Sequence, residues 1–367
     1  MHTALCDRLG IEHPIVGFTP SEHVAAAISR AGGLGVLGCV RFNEAAELDA
    51  ALSWMDRNTD GKPYGVDVVM PATVPAEGTK IDLDRLIPAE HKEFVERTLV
   101  RLGVPPLSAA EATHPGVLGW LHSIARSHVD VALTHPIALI ANALGSPPAD
   151  VIDLAHGKGV PVAALAGKAE HAVRHADSGV DLVVAQGYEA GGHTGEIASM
   201  VLVPEIVDAV GARVPVLAAG GIGSGRQIVA AMALGAVGAW MGSFWLTTAE
   251  YRQTMGESAL QPALLRAGSG DTVRSRIYSG KPARLLRSRW TDAWAAPDAP
   301  EPLPMPLQNL LVGEAHQRLM RSADPGVVAM PVGQIVGRMN EIVPVAEAMA
   351  NLLADVRATL STLDKLG

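Results

Sequence analysis

The stretch richest in chemical possibility is Ala185-Gln186-Gly187-Tyr188-Glu189-Ala190-Gly191-Gly192-His193-Thr194-Gly195. A single imidazole sits among Gly187, Gly191, Gly192 and Gly195. Glycine permits positive φ and lets a flat or phosphorylated ligand lie directly on the main chain. An imidazole titrates near neutrality, so His193 is the candidate to take a proton from a weak carbon acid or give one to a developing oxyanion. Taken alone, the segment also describes a glycine-rich turn with a solvated histidine. Two further segments favour a site. Val216 to Ala219 runs into Gly220-Gly221-Ile222-Gly223-Ser224-Gly225 and then a helix-like run from Arg226 to Leu234. Strand, glycine turn and helix N-terminus together present backbone N–H groups to a phosphate. Gly238-Ala239-Trp240-Met241-Gly242-Ser243 is another strand ending in a turn of this kind.

Other residues carry weaker signals. Glu189 either orients a neighbour or pairs with a surface lysine. His135 either lines a pocket or marks a strand end before Pro136. Arg274, Arg276, Tyr278 and Lys281 surround Ser279-Gly280-Lys281-Pro282-Ala283-Arg284 and either close over an anion or form surface ion pairs. Trp240 and Trp245 are expected to pack a rim, and Cys39 to be a small buried hydrophobe.

The elements that must position these residues follow a rhythm. Strands are expected at Pro14 to Gly17, Leu34 to Val40, Tyr64 to Met70, Val129 to Thr134, Val160 to Leu165, Val180 to Ala185, Val214 to Ala218 and Val237 to Met241. Helical runs separate them: Ser21 to Ala31 with Ser21 as N-cap, Asn43 to Arg57, Ala149 to Lys158 and Lys168 to Asp177. Eight β units alternating with helices predict a (β/α)8 TIM barrel of the α/β class, with an open doubly wound sheet as the alternative. Barrel sites lie at the C-terminal ends of the strands, where this chain places its glycines. The barrel is expected over 1–70 and 129–250. A helical insertion after strand 3, residues 71–128, reads as a lid, with helices at Ile81 to Leu86, Pro88 to Leu102 and His114 to Ser127. A C-terminal extension, 251–367, holds a Pro-rich linker and helices at Gln308 to Ser322 and Asn340 to Leu363, the last docking on the barrel or a partner subunit, which admits a homodimer.

Composition excludes several classes. Of the 367 residues 48% are hydrophobic and 18% charged, enough apolar matter for a large core. The net charge of −9 and the lack of a basic cluster argue against nucleic-acid or membrane partners. Cys6 and Cys39 have no metal-ligand spacing, so no metal is expected. No apolar run reaches about 18 residues and no leader pattern opens the chain, which predicts a cytoplasmic location.

Cys6-Asp7-Arg8-Leu9-Gly10-Ile11-Glu12-His13-Pro14-Ile15, Ala31-Gly32-Gly33-Leu34-Gly35, the Gln186 to Gly195 segment, Ala218-Ala219-Gly220-Gly221-Ile222 and Met241-Gly242-Ser243 together resemble the nitronate monooxygenase (2-nitropropane dioxygenase-like) family, from residue 5 to about 340. The resemblance implies an FMN-dependent barrel that oxidises small alkyl nitronates with O2, with FMN at the strand C-termini. It implies His193 as catalytic residue, acting as base on a neutral nitroalkane and mattering less for a preformed nitronate. It implies phosphate contacts at Gly220, Gly221, Gly242 and Ser243, and flavin contacts at Gln186, Gly187, Gly191, Gly192 and Asp67, the last where the family has asparagine. The chain departs from the family pattern at Gly17-Phe18-Thr19-Pro20, where a Pro-Met pair is usual, and at the end of strand 5, where Lys168 is the nearest lysine. Two other readings fit the same scaffold: an NAD(P)H-dependent reductase of a quinone or enoyl thioester, and a non-catalytic flavin-binding module.

Overall fold

Short strands of almost wholly buried residues close into a parallel barrel in this computed structural model, which describes residues 1–70, 86–107, 122–256 and 258–365. The strands are β1 (Ile15–Thr19), β2 (Leu34–Gly38), β3 (Tyr64–Val68), β4 (Leu139–Asn142), β5 (Val162–Ala166), β6 (Leu182–Gln186), β8 (Val216–Ala219) and β9 (Gly238–Met241). They lie in that order, and β9 returns to pair with β1 through Val16 opposite Trp240. Both faces of each strand are covered, so the strands read as continuous apolar runs without alternation. A two-residue strand, β7 (Gly192–His193), stands outside the barrel.

Helices follow the strands around the outside. These are α2 (Glu22–Arg30), α3 (Ala45–Asn58), α5 (His122–Ala132), α6 (Ala149–Gly157), α7 (Ala169–Asp177), α8 (Ser199–Val210) and α9 (Gly225–Ala233). The short α1 (Ala4–Leu9) precedes β1, and Thr3 just ahead of it donates to the Val237 carbonyl at 3.0 Å, at the N-terminal end of β9. Ser21 caps α2 as its sequence predicts, accepting the Val24 N–H at 3.2 Å.

The expected fourth strand is a correction. Val129 to Ala132 is the last turn of α5, and the strand lies further on at Leu139–Asn142. Ala125, Val129 and Ala132 are all buried, and that i, i+4, i+7 spacing is a helix face. A short apolar run does not by itself tell strand from helix, and Val129 to Thr134 is compatible with both. His135 therefore precedes the strand instead of ending it. It binds Asp56 at 2.7 Å and Asp49 at 3.2 Å, at the N-terminal side of the barrel and away from the glycine turns.

Between β3 and α5 lies α4 (Ala89–Arg101), close to the expected Pro88 to Leu102. All but the last residue of the helix expected at Ile81 to Leu86, and most of the one expected at His114 to Ser127, fall outside the described residues. The tail comprises α10 (Tyr251–Met255), α11 (Leu260–Arg266), β10 (Thr272–Ser275), β11 (Ala283–Leu286), α12 (Arg289–Trp294), α13 (Leu307–Arg321) and α14 (Val345–Leu363). Pro344 delays the start of α14 past the expected Asn340, because proline fits the first positions of a helix and not its interior. Phe94, Val95 and Leu99 of α4 share one apolar cluster with Trp290, Trp294, Val312 and Leu319 of the tail. Arg318, 4% exposed, locks that cluster by donating to Glu96 at 3.0 Å and to the carbonyls of Val104 and Pro105.

Two of the contacts between tail and barrel bear on the site and on stability. β10 and β11 form an antiparallel hairpin that continues into β7, setting Ala283 opposite His193 and Arg284 opposite Gly192. α14 lies across α9, where a Cβ on Gly225 would collide with the backbone of Val356. Gly225→Ala should therefore destabilise the protein by roughly 1–3 kcal/mol, the usual effect of overpacking, read as a lower thermal midpoint.

Candidate active site

The register of the barrel brings the expected site residues to one end. Gln186 pairs with Ala219, Ala219 with Trp240, and Asp67 lies between Gly38 and Ala141. Gly220, Gly221, Gly242 and Ser243 follow directly on β8 and β9. All of these lie at the C-terminal end of the barrel, together with His193 on β7.

The glycines divide by what surrounds them. A Cβ on Gly187 would lie 2.7 Å from the Ser199 N, and one on Gly191 2.7 Å from the Val332 carbonyl carbon. Gly195 is similarly tight against Gly167. These three let backbone pass against backbone. Gly192, at φ +74, has open space where its Cβ would be. The segment that presses on Gly191 also ties the loops together: Gly333 N–H donates to Ser243 Oγ at 2.9 Å, and Gln334 N–H to the Glu189 carbonyl at 2.9 Å. The Glu189 side chain is fully engaged at the start of α8, accepting the Ser199 N–H at 3.0 Å and its hydroxyl at 2.8 Å. It acts as a helix cap.

The turn after β8 tests for a phosphate. Gly223 N–H is taken by Gln227 Oε1 at 3.0 Å and Arg226 N–H by Asp355 at 3.0 Å. The N–H groups of Gly221, Ile222, Gly242 and Ser243 meet no acceptor among the described residues. Four unclaimed donors at the ends of two adjacent strands, next to the N-terminus of α9, suit an oxyanion. Phe18, on β1 at the departure from the Pro-Met pattern, lies across this rim against Gly38 and Gly242 and stacks at 6.5 Å on Trp240. Trp245 is fully buried beside Gly17, as expected of a packing residue. Lys168 is exposed at the start of α7.

His193 is held from one side. Its Nε2 lies 2.6 Å from Ser279 Oγ, a residue 86 positions later that β11 brings back. No described residue takes its Nδ1. The Tyr278 ring stands at 6.3 Å and stacks in turn on His316 at 4.9 Å. Arg284, 3% exposed, donates twice to the Tyr188 carbonyl and once to Thr272, with its guanidinium 4.4 Å above the Tyr188 ring. Arg274 donates to the Thr194 carbonyl at 3.0 Å and pairs with exposed Glu196. The loop carrying His193 is thus backed by buried positive charge. Arg276 bonds the Gly280 carbonyl and turns outward. Ser279 and Arg284 were not candidates by sequence; only the hairpin ladder reveals them.

Electrostatics follow from burial. Burial, then the nearby Lys281 charge, lower His193 to about 4, so its imidazole is neutral at pH 7. His316 is lowered to about 4 by burial alone. Burial drives the Asp67 carboxyl well above the usual carboxylate range, toward the acid form, which like asparagine offers both a donor and an acceptor. The two histidines set a pH dependence. Between the ordinary value near 6.5 and about 4, the unfolded chain binds protons at these positions and the folded chain does not. Stability should therefore fall as pH drops through that window, by up to roughly 3 kcal/mol per histidine. Thermal unfolding at pH 7 and pH 5 measures it, and His316→Gln should flatten the slope.

A nitronate monooxygenase family model matches residues 2–355. The chain belongs to the nitronate monooxygenase family. A Mycobacterium tuberculosis protein with a provisional monooxygenase name is 47% identical, over 100% of this chain and 99% of its own length. Among solved structures, nitroalkane oxidase from Streptomyces ansochromogenes is similar at TM-score 0.81 and 26% identity, covering 98% of this chain and 100% of that one. FabK from Thermotoga maritima is similar at TM-score 0.75 and 26% identity, each chain covered in full. Membership in the nitronate monooxygenase family makes this chain an oxidoreductase of a flavoprotein family on a closed (β/α)8 barrel. Among the described residues no helix is long and apolar enough to cross a membrane.

Proposed function

We propose that this protein binds FMN at the C-terminal end of the barrel and oxidises small alkyl nitronates with O2 to a carbonyl compound and nitrite. The observation that carries the reading is the pairing of two features on one rim. Unclaimed N–H groups of Gly221, Ile222, Gly242 and Ser243 fit the phosphate, and His193 stands on the neighbouring loop with one nitrogen anchored. Gln186, Gly192, Gly220 and Asp67 belong to the same end of the barrel and would border the isoalloxazine ring; Gly187 and Gly191 would serve by letting the loop pack.

FMN, when bound, supplies the acceptor for the nitronate's electrons and hands them on to O2. The protein's own contribution is to hold the anion. Arg284, Arg274 and Lys281 make the His193 loop electropositive, and a bound nitronate keeps its charge there. The hairpin and the packed loop around Gly191 and Gly333 fix the imidazole relative to the rim. The shared cluster of α4 and the tail supports that hairpin from behind, so we assign the segment after β3 a role in substrate size as well as in support.

O2 uptake and nitrite release with preformed C2–C4 nitronates test the reading, alongside mass spectrometry of the cofactor freed by heat. FMN with stoichiometric nitrite is the expected result. FAD, or no flavin after reconstitution, would overturn the cofactor assignment; flavin without nitrite would overturn the substrate.

A further inference from the structure

We propose that Ser279 fixes His193 in its Nδ1–H tautomer, so that the imidazole meets an anionic substrate as a hydrogen-bond donor and not as a base. The identity of the anion rests on the nitronate reading; the tautomer does not.

One buried hydroxyl has a single proton to place between two acceptors. Ser279 is fully buried, and a serine hydroxyl carries one proton and two lone pairs. Lys281 N–H donates to its Oγ at 3.3 Å, which uses one lone pair. Two acceptors compete for its proton: His193 Nε2 at 2.6 Å and the Lys281 carbonyl at 3.5 Å. The nearer is a full hydrogen bond and the farther is at the limit of one. If Nε2 carried the hydrogen, it would donate to Oγ and the hydroxyl proton would be left with the long contact. If Nε2 is bare, the hydroxyl donates at 2.6 Å, still accepts from Lys281 N–H, and no strong donor is wasted. The second arrangement satisfies the buried hydroxyl better.

With Nε2 occupied, the ring proton sits on Nδ1, the nitrogen that no described residue claims. The geometry is fixed from outside the loop. Ala283 pairs with His193 across the β7–β11 ladder, and Ser279 lies in the turn that leads into β11, the strand that also sets the ring's backbone. Lys281, Arg274 and Arg284 favour an anion at this place. A donor nitrogen suits a substrate that arrives already deprotonated. Ser279 is in these terms a positioning residue; it acts through His193.

Long-range 1H–15N correlation spectra of the holoprotein labelled with 15N-histidine read the tautomer directly. The chain has 13 histidines, so the His193 signals are assigned by their loss in His193→Asn. At pH 7.5 the wild type should show Nδ1 as a protonated nitrogen and Nε2 as an unprotonated one. Ser279→Ala should shift the ring toward Nε2–H, while Ser279→Thr keeps the wild-type pattern and Ser279→Cys, a weaker donor, falls between. KM for a preformed nitronate should rise roughly tenfold in Ser279→Ala with a smaller change in kcat. An Nε2–H tautomer in the wild type, or an unchanged tautomer in Ser279→Ala, overturns the proposal. Should Ser279→Ala fail to fold, the Thr and Cys variants decide: identical spectra in wild type and Ser279→Cys would count against Ser279 as the determinant. The spectra give this answer whatever the substrate proves to be.

Discussion

Gly221→Asp should yield a folded protein without flavin. Gly221 sits at φ +69, a left-handed conformation that aspartate and asparagine tolerate better than other side chains. A Cβ there would lie 3.3 Å from Glu189 Cβ, tight but adjustable. The carboxylate would then share the turn with the phosphate. Two unit charges about 4 Å apart repel by about 4 kcal/mol at the effective dielectric of a protein surface, roughly a thousandfold in affinity, and a dianion raises this. Gly221→Asn supplies the same backbone strain and nearly the same volume without charge. Gly221→Asn should stay yellow through gel filtration, and Gly221→Asp should elute colourless with the same far-ultraviolet circular dichroism. Equal flavin content in both would place the phosphate elsewhere.

The second large effect is at His193. A hydrogen bond to an ionised group contributes about 1.5–3 kcal/mol, so His193→Phe should raise KM for a preformed nitronate roughly 10- to 150-fold. His193→Asn keeps an N–H donor and should lose less. The sequence suggests a different division, with His193 as base and a loss of about 10²- to 10⁴-fold on the neutral nitroalkane. Burial and the anchored Nε2 move the expectation. A neutral imidazole whose conjugate acid is lowered to about 4 is a poor proton acceptor, and wild-type turnover of the neutral nitroalkane should already be slow. If wild type uses the neutral substrate well and both variants lose it by 10²-fold or more with nitronate turnover intact, His193 is a base after all.

Much of this site can be read from the chain because a parallel barrel puts strand ends together. Once Val180 to Ala185, Val214 to Ala218 and Val237 to Met241 are recognised as strands, Gln186, Gly220 and Gly242 must share a rim. From the tail, the sequence offers Arg274, Tyr278 and Lys281 as residues that could close over the site, but not Ser279 and Arg284 as the partners of this loop. Nothing local in Ser275 to Ser279 says that it will lie against His193; a hairpin returning across 86 residues is a non-local pairing with no periodic signature. The glycines of the His193 loop show the converse. Gly187, Gly191 and Gly195 look like room for a ligand, yet Ser199, Val332 and Gly167 take the space, because contacts with distant backbone demand glycine as strictly as a cofactor does. The strand lies at Leu139 and not at Val129 for a simpler reason: two apolar runs of similar length are close together in the sequence, and only the burial of Ala125, Val129 and Ala132 on one face marks the first as helix.

Anaerobic mixing of the flavin-loaded protein with a preformed alkyl nitronate tests the central claim most directly. The yellow absorbance should be lost within the time of a turnover and return on admitting O2, with nitrite released, while NAD(P)H leaves the absorbance unchanged. Bleaching by NAD(P)H together with inertness toward the nitronate would contradict it and make the protein a reductase on the same barrel.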